Sequence, residues 1–161
     1  LYHTQPGDMV VVDARGDLKS GIVGEMMLTY FKGLGGVGCV IDGCIRDFRH
    51  VREIDIGLWT TGLTPNFHAQ TDIMPFVVNG PITPGNCLVM PGDIVVADDD
   101  GAVVVPVKLA EQVIEMGGEH HDWEIFSKER LEQGGDLRRY YPLTEAARPE
   151  YEAWLKAKGR D

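Results

Sequence analysis

Three charged residues with a fixed spacing are the strongest candidates for chemistry in this sequence. Glu25 stands in the first turn of a predicted helix, and Arg46-Asp47 follows after twenty intervening residues, just past a predicted strand. Arginine binds a carboxylate through two parallel hydrogen bonds, and aspartate can hold a hard cation such as Mg²⁺ or Mn²⁺. Residue types alone also allow a surface ion pair and a glutamate that only complements the helix dipole.

Patterns along the chain predict a mixed α/β protein with short strands and few long helices. Runs of β-branched residues predict buried strands, and near-helical apolar spacing predicts helices. The predicted strands are 9–12, 37–41, 54–59, 76–78, 94–97 and 102–106. The predicted helices are 22–32, 108–115 and 122–133. The polar segment 16–21 and the Asp42-Gly43 dipeptide are predicted to be connections.

The helix over 22–32 and the strand over 37–41 are joined by glycines, so the chain can fold back on itself. Arg46 and Asp47 would then return to the start of the helix. There the unpaired N–H groups of residues 24–27 and the positive end of the helix dipole form a seat for a carboxylate. The spacing of the charged residues is therefore physically sensible for a single site.

Composition limits the class of protein. The chain has 161 residues, 43% hydrophobic and 25% charged, as expected of one soluble globular domain. A net charge of −10 disfavours nucleic acid as a partner, because duplex binding needs a basic face. No apolar stretch approaches the ~20 residues of a membrane span, and no signal peptide is visible. The three cysteines, in no CxxC spacing, are predicted to be reduced and mostly buried, so we expect a cytoplasmic protein.

The segment from Gly24 to Asp47 resembles the signature of one protein family. That signature is an acidic residue, twenty residues and Arg-Asp, with Asp-Gly three to four residues before the Arg. It is typical of the RraA-like family, which contains 4-hydroxy-4-methyl-2-oxoglutarate aldolase and regulator of ribonuclease activity A. The resemblance covers roughly residues 5–137 and includes the Pro-Gly-Asp turn and strand at 91–98. The acidic residue here is Glu25, whereas the characterised aldolases carry Asp.

The resemblance implies a compact α-β-β-α sandwich of the swivelling phosphohistidine-domain type. The family's usual N-terminal helix and first strands have no counterpart, so we expect the chain to lack the family's N-terminal segment. Residues 1–137 would form the aldolase-type domain, and residues 138–161 a C-terminal extension that packs on its own or a neighbouring subunit. The resemblance also implies a homotrimer or a dimer of trimers with active sites between subunits.

The resemblance further implies a role for each candidate residue. Arg46 would be catalytic and would bind the carboxylate of a small 2-oxoacid. Asp47 would hold Mg²⁺ or Mn²⁺, which would polarise the 2-oxo group and stabilise the enolate left by C–C cleavage. Glu25 would return a proton to the pyruvate enolate through water on the metal. The other substrate-binding residues would be Gly24, Met26 and Met27.

A glutamate of the last predicted helix is implied as a further metal ligand. Glu124 would reach the metal site of a neighbouring subunit, as family members do with a Glu. Glu119, Glu129 and Glu132 are equally available solvated charges.

The implied activity is that of a lyase, a divalent-metal-dependent class II-type pyruvate aldolase. It would cleave 4-hydroxy-2-oxoacids or decarboxylate oxaloacetate. Lys19 and Lys32 flank the charged residues without lying among them, which disfavours Schiff-base chemistry. One alternative is a protein-binding regulator of ribonuclease activity, and another is an inert fragment.

Overall fold

The computed structural model describes residues 1–67 and 73–160. The chain divides into two compact units, Leu1–Val107 and Lys108–Asp161. The mixed α/β class predicted from the sequence is confirmed. None of the helices in the described ranges is long and apolar enough to cross a membrane.

A parallel three-stranded sheet forms the centre of the first unit. Strands β1 (Met9–Gly21), β2 (Gly38–Ile45) and β3 (Gly57–Leu63) pair in that order, each parallel to the next. Helix α1 (Glu25–Gly33) connects β1 to β2, and the one-turn helix α2 (Phe48–Val51) lies between β2 and β3. Parallel neighbours need such crossovers, because each strand must start again from the same side. The carboxyl ends of the three strands therefore meet at one edge of the sheet.

The core of the first unit lies between α1 and this sheet. Leu28 and Phe31 of α1 are fully buried, and they pack in one cluster with Cys39, Ile41 and Ile45 of β2. Removing such side chains from water stabilises the fold by roughly 1.5–3 kcal/mol each. This packing fixes the start of α1 relative to the end of β2.

Strand β1 is longer than predicted because it contains two irregularities in its pairing with β2, after Asp13 and after Asp17. Asp13 Oδ1 accepts a hydrogen bond from the Arg15 N–H at 2.9 Å, and Asp17 Oδ2 accepts one from the Ser20 N–H at 2.8 Å. The side chain of each aspartate thus stabilises the backbone turn at the irregularity that follows it. The pKa of Asp17 is lowered, first by a hydrogen bond from the Ser20 side chain and then by this bond from the Ser20 N–H. The segment 16–21, predicted to be a connection, is part of the strand.

Other predictions of local structure were wrong where the pairing of strands sets the bounds of an element. Asp42-Gly43 lies inside β2, and β3 begins at Gly57, three residues later than predicted. Residues 76–78 belong to no strand in the described part of the chain. Their β-branched content favours a strand only where a neighbouring strand is available to pair.

The two strands predicted near residues 94–97 and 102–106 are confirmed as an antiparallel hairpin. Strands β4 (Ile94–Asp98) and β5 (Gly101–Val105) pair in register from Ile94 with Val105 to Asp98 with Gly101. The three consecutive aspartates at 98–100 therefore lie at the tight turn of this hairpin.

The three cysteines are free thiols. Cys39 and Cys44 are buried as predicted, whereas Cys87 is exposed after the 3-10 turn at Pro84–Asn86, so the prediction was wrong there. Burial raises the pKa of Cys39 to about 12. Burial and then the charge of Asp17 raise the pKa of Cys44. Both buried thiols are therefore packing groups rather than nucleophiles.

The second unit begins with one long helix, α3 (Ala110–Glu132). Two helices were predicted here, over 108–115 and 122–133. Glycine in a helix is unfavourable by about 1 kcal/mol relative to alanine but removes no backbone hydrogen bond. The glycines at 117–118 therefore leave α3 continuous, and the helix ends before Gly134, as predicted.

Two short helices follow α3 and share an aromatic core with it. They are α4 (Leu137–Tyr140) and α5 (Arg148–Lys158). The rings of Tyr140 and Trp154 each contact Phe126 edge-on, with centroids 5.9 Å apart. The aromatic residues of the expected C-terminal extension thus pack on α3. The expected domain boundary after residue 137 stays a prediction, and Asp161 lies outside the described residues.

Two carboxylates stabilise the second unit through hydrogen bonds. Glu129 accepts the indole N–H of Trp154 at 2.7 Å, and this bond is the main cause that lowers its pKa. Glu150 accepts the Arg139 guanidinium and the Tyr140 hydroxyl, and these bonds, in that order, lower its pKa. Both carboxylates are therefore needed in their charged form.

We expect the packing of the second unit to weaken as the pH falls below 4.5, the ordinary pKa of a glutamate. A lowered pKa in the folded state contributes stability above the unfolded value and loses it as the pH falls through the folded value. The indole proton of Trp154, followed by NMR, should shift over that range, and Glu129→Gln should abolish the shift. An unchanged titration in Glu129→Gln would contradict this explanation.

Candidate functional site

The candidate site forms where the three parallel strands end. Gly21 is the last residue of β1, and Arg46 directly follows β2. Phe67, on the segment after β3, forms an isolated parallel bridge with Gly21. Side chains that follow the carboxyl ends of parallel strands are a common source of ligand-binding groups.

Backbone pairing continues beyond the end of β1 and sets the start of α1. The Ile22 N–H donates to the Cys44 carbonyl at 2.9 Å, and the Arg46 N–H donates to the Val23 carbonyl at 3.0 Å. These bonds hold residues 22 and 23 in an extended conformation. Helix α1 therefore begins at Glu25. The apolar spacing had predicted a start at Ile22, which was wrong.

Gly24 is the point where α1 meets the Arg-Asp pair. A Cβ atom built on Gly24 would lie 2.3 Å from Asp47 Oδ2 and 2.9 Å from Arg46 Cγ, so any side chain here would displace the pair. Gly24 is also the N-cap of α1, and no side chain caps the first turn. The N–H groups of that turn are thus left for another acceptor. Arg46 and Asp47 do return to the start of the helix, although their chemical roles stay predictions.

The guanidinium of Arg46 is held on three sides. Its Nη1 donates to the Gly21 carbonyl at 2.8 Å, and its Nε lies 3.5 Å from Asp47 Oδ2. Its Cζ lies 5.6 Å from the centroid of the Phe67 ring. A guanidinium has five N–H donors. Among the described residues Nη2 has no hydrogen-bonding partner, so the outer edge of the guanidinium is available to an anion.

Asp47 presents its carboxylate to the site because of its backbone conformation. Its φ of 60° and ψ of 27° are left-handed, a region that aspartate tolerates better than most residues. Although Asp47 is the N-cap of α2, its side chain makes no capping bond to that helix. The carboxylate is 45% exposed and faces Gly24 and the Arg46 Nε.

The remaining predicted residues of the first turn differ in exposure. Glu25 is half-buried, and within the described residues its side chain makes no hydrogen bond or ion pair. Met26 is 76% exposed, whereas Met27 packs partly against the core under α1. Of the two methionines, Met26 therefore offers the larger surface to a ligand.

Glu124 belongs to α3 of the second unit. Its Oε1 lies 3.1 Å from Nε2 of His120, one helical turn earlier. His120 and His121 are exposed. The role of Glu124 as a metal ligand stays a prediction.

The donor groups at the site suit a hard cation that keeps much of its own hydration. Within residues 1–67 and 73–160, no group of three or more His, Cys, Asp and Glu side chains could hold a metal ion. Mg²⁺ needs no such cage, because it commonly binds through one or two carboxylates and retains several waters. The exposed carboxylate of Asp47 is a donor of that kind, so the residues present fit such an ion.

Comparison with known proteins decides the family. A sequence model of the RraA-like family, described as aldolase/RraA, matches residues 1–104. The chain belongs to the RraA-like family. The resemblance found in the sequence is thereby confirmed, and the match ends before α3 begins.

One relative of the chain is described as an aldolase. A protein of Halalkalibacterium halodurans, described as a "putative 4-hydroxy-4-methyl-2-oxoglutarate aldolase", is 36% identical over 115 residues, which are 71% of this chain and 54% of that protein. The chain thus spans about half the length of that relative.

Solved structures show the same fold. RraAS2 of Streptomyces coelicolor, described as an unusual member of the RNase ES inhibitor RraA protein family, superposes with a TM-score of 0.78 and 46% identity, over 80% of this chain and 65% of that one. The RNA-processing inhibitor RraA from Thermus thermophilis has a TM-score of 0.58 and 28% identity, over 63% and 61% of the two chains.

Two site residues, Gly21 and Phe67, were missed by reasoning from the sequence. Their only signal was position: Phe67 follows β3 much as Arg46 follows β2, and Gly21 ends β1. A Cβ atom on Gly21 would lie 2.5 Å from the Asn66 carbonyl oxygen and 2.9 Å from Arg46 Cβ. The absence of a side chain at Gly21 is thus what lets the three strand ends approach one another.

We expect Gly24→Ala to destabilise the protein by about 1–3 kcal/mol, because its methyl group would overlap the Asp47 carboxylate. The matched control is Gly33→Ala, since a Cβ atom on Gly33 would meet no atom within 4 Å. That change should be neutral or stabilising by up to about 1 kcal/mol, as alanine suits a helix better. Urea unfolding measures both. Equal stability of Gly24→Ala and wild type would rule out the described contact.

Proposed function

We propose that this chain carries the active site of a divalent-metal-dependent pyruvate lyase of the class II aldolase type. Such an enzyme cleaves 4-hydroxy-2-oxoacids or decarboxylates oxaloacetate. The observation that carries the proposal is the Arg46-Asp47 pair seated against Gly24 at the start of α1. The described activity of the H. halodurans relative supports the same chemistry. Because the chain spans about half of that relative, the activity of the whole protein is part of the proposal.

Arg46 binds the carboxylate of the 2-oxoacid in this proposal. Its Nη2 is the donor group left without a partner among the described residues, next to an Nη1 already anchored on Gly21. Bidentate pairs of this type are both strong and directional. The uncapped first turn of α1, with Gly24, Met26 and Met27, adds backbone N–H donors and the positive end of the helix dipole.

Asp47 is the residue that holds Mg²⁺ or Mn²⁺ in this proposal. Its carboxylate is exposed and is not used to cap α2. Glu124, contributed by a neighbouring subunit of a homotrimer or dimer of trimers, is the second proposed ligand. The bound ion supplies Lewis-acid polarisation of the 2-oxo group.

Glu25 is the proposed proton donor. When the C–C bond of the substrate breaks, the electron pair of that bond stays on the pyruvyl carbon. This carbon must then take up one proton to become the methyl group of pyruvate. Glu25 follows Gly24 directly, and its carboxyl group is engaged with no other described residue. Its carboxylate is therefore free to hold a water molecule and to relay a proton from that water to the pyruvyl carbon.

Purified protein should release pyruvate from oxaloacetate in the presence of Mg²⁺ or Mn²⁺ and should stop doing so when excess chelator is added. Arg46→Ala should lower kcat/KM by about 100-fold or more, because the substrate carboxylate loses two charged hydrogen bonds. Arg52→Ala is the matched control, since Arg52 is exposed at the end of α2 and has no side-chain partner among the described residues. Wild-type turnover in Arg46→Ala would refute the assignment of the site.

A second candidate function is regulation of a ribonuclease. It is favoured by the 46% identity with S. coelicolor RraAS2, which exceeds the 36% identity with the relative described as an aldolase. In that case the chain should slow RNA cleavage by a ribonuclease of the RNase ES type and release no pyruvate. Inhibition that persists in Arg46→Ala would show that the regulator does not use the lyase site.

A further inference from the structure

Phe67 lies against the guanidinium of Arg46, although nothing in the sequence had marked it as a site residue. The distance from Arg46 Cζ to the ring centroid is 5.6 Å, within the ~6 Å over which an aromatic face attracts a cation. The ring is 44% exposed, whereas the Arg46 side chain is only 19% exposed. We propose that Phe67 is a positioning residue, which sets the plane of the Arg46 guanidinium for the substrate carboxylate. The inference rests on the carboxylate-binding role proposed for Arg46.

The segment that carries Phe67 is tied to the end of β1. The Gly21 N–H donates to the Asn66 carbonyl at 3.0 Å, and the Asn66 side-chain amide donates to the Lys19 carbonyl at 3.0 Å. Phe67 itself pairs with Gly21. The position of the ring is therefore defined by the same strand end that anchors Arg46.

The other contacts of Arg46 do not fully fix the orientation of its guanidinium. The hydrogen bond from Nη1 to the Gly21 carbonyl fixes one point of the guanidinium, and the group can still rotate about that bond. Nε lies 3.5 Å from Asp47 Oδ2, which is an ion-pair distance and not a short hydrogen bond. The Phe67 ring, whose centroid lies 5.6 Å from Cζ, restricts that rotation through a cation–π contact.

The geometry has a consequence for ligand approach. The ring occupies space beside the guanidinium, so we expect a carboxylate to approach the edge that carries Nη2, the nitrogen with no hydrogen-bonding partner among the described residues. In-plane approach is the arrangement that gives two parallel hydrogen bonds. By orienting Arg46, Phe67 would thus favour the bidentate geometry.

The test compares Phe67→Leu, which keeps apolar bulk and removes the π-face, with Phe67→Tyr, which keeps that face. Loss of a cation–π contact of this kind should weaken carboxylate binding by about five-fold. Because the contact acts on bound substrate and transition state alike, KM for oxaloacetate should rise about five-fold and kcat should stay within about two-fold. Phe67→Tyr should behave as wild type. Phe76→Leu, at an aromatic residue that is 87% exposed, is the control for loss of any surface ring.

A second readout is independent of turnover. The dissociation constant of oxalate, measured by calorimetry in Mn²⁺ buffer, should rise about five-fold in Phe67→Leu and stay near wild type in Phe67→Tyr and Phe76→Leu. A merely structural role for the ring would lower the melting temperature and the active fraction, and it would leave KM and oxalate affinity unchanged.

The outcomes separate this inference from the proposed reaction. Unchanged oxalate affinity and KM in Phe67→Leu, or equal losses in Phe67→Leu and Phe67→Tyr, would overturn the positioning role. Wild-type protein that binds oxalate without turning over oxaloacetate would refute the lyase proposal, and a weaker oxalate affinity in Phe67→Leu would still support the positioning role. Absence of oxalate binding to wild type would overturn the role of Phe67 together with the carboxylate seat.

Discussion

The close approach of the Asp47 carboxylate to the α-carbon of Gly24 is the constraint on which the rest of the site depends. A side chain at Gly24 would occupy the place of Asp47 Oδ2, at 2.3 Å from its Cβ. The contact joins the segment after β1 to the segment after β2, which parallel pairing brings to the same edge of the sheet. It also places the Arg-Asp pair beside the uncapped N–H groups of α1. The proposed anion site and the proposed cation ligand are thus both formed by two short connections.

The negative net charge of the chain makes the fixed position of Arg46 important for the proposed binding of an anion. The chain has a net charge of −10, so its overall field repels a small carboxylate. Attraction must then come from a local cation and from the helix N-terminus, at short range. Arg46 is 19% exposed, and its partial burial reduces screening by solvent and salt. The Gly21 carbonyl and the Phe67 ring contact this cation, and in the proposed function these contacts limit the entropy lost when the carboxylate binds.

The two compact units have separate cores. The family match over 1–104 nearly coincides with the first unit, Leu1–Val107, which contains Gly24, Arg46 and Asp47. The second unit packs Tyr140 and Trp154 around Phe126 and holds its carboxylates in charged hydrogen bonds. Its stability therefore depends on a different set of interactions, which are aromatic packing and ion pairs on its own helices.

By itself the sequence determined those features that short-range patterns encode. The β-branched runs predicted the β4–β5 hairpin and the mixed α/β class, and the glycines predicted where α1 and α3 end. The spacing from Glu25 to Arg46-Asp47, with Asp-Gly before the Arg, carried the resemblance to the RraA-like family, which the family match confirms.

Only the tertiary structure decided the features that depend on hydrogen bonds between distant residues. The late start of α1 follows from the bond of Ile22 with Cys44, and the path of the chain after β3 follows from the bond of Gly21 with Asn66. The residues at 76–78 have strand-like composition but no partner, so they form no strand in the described ranges. Phe67 reaches Arg46 for the same reason: the pairing of strand ends, and not any local pattern, brings the ring to the guanidinium.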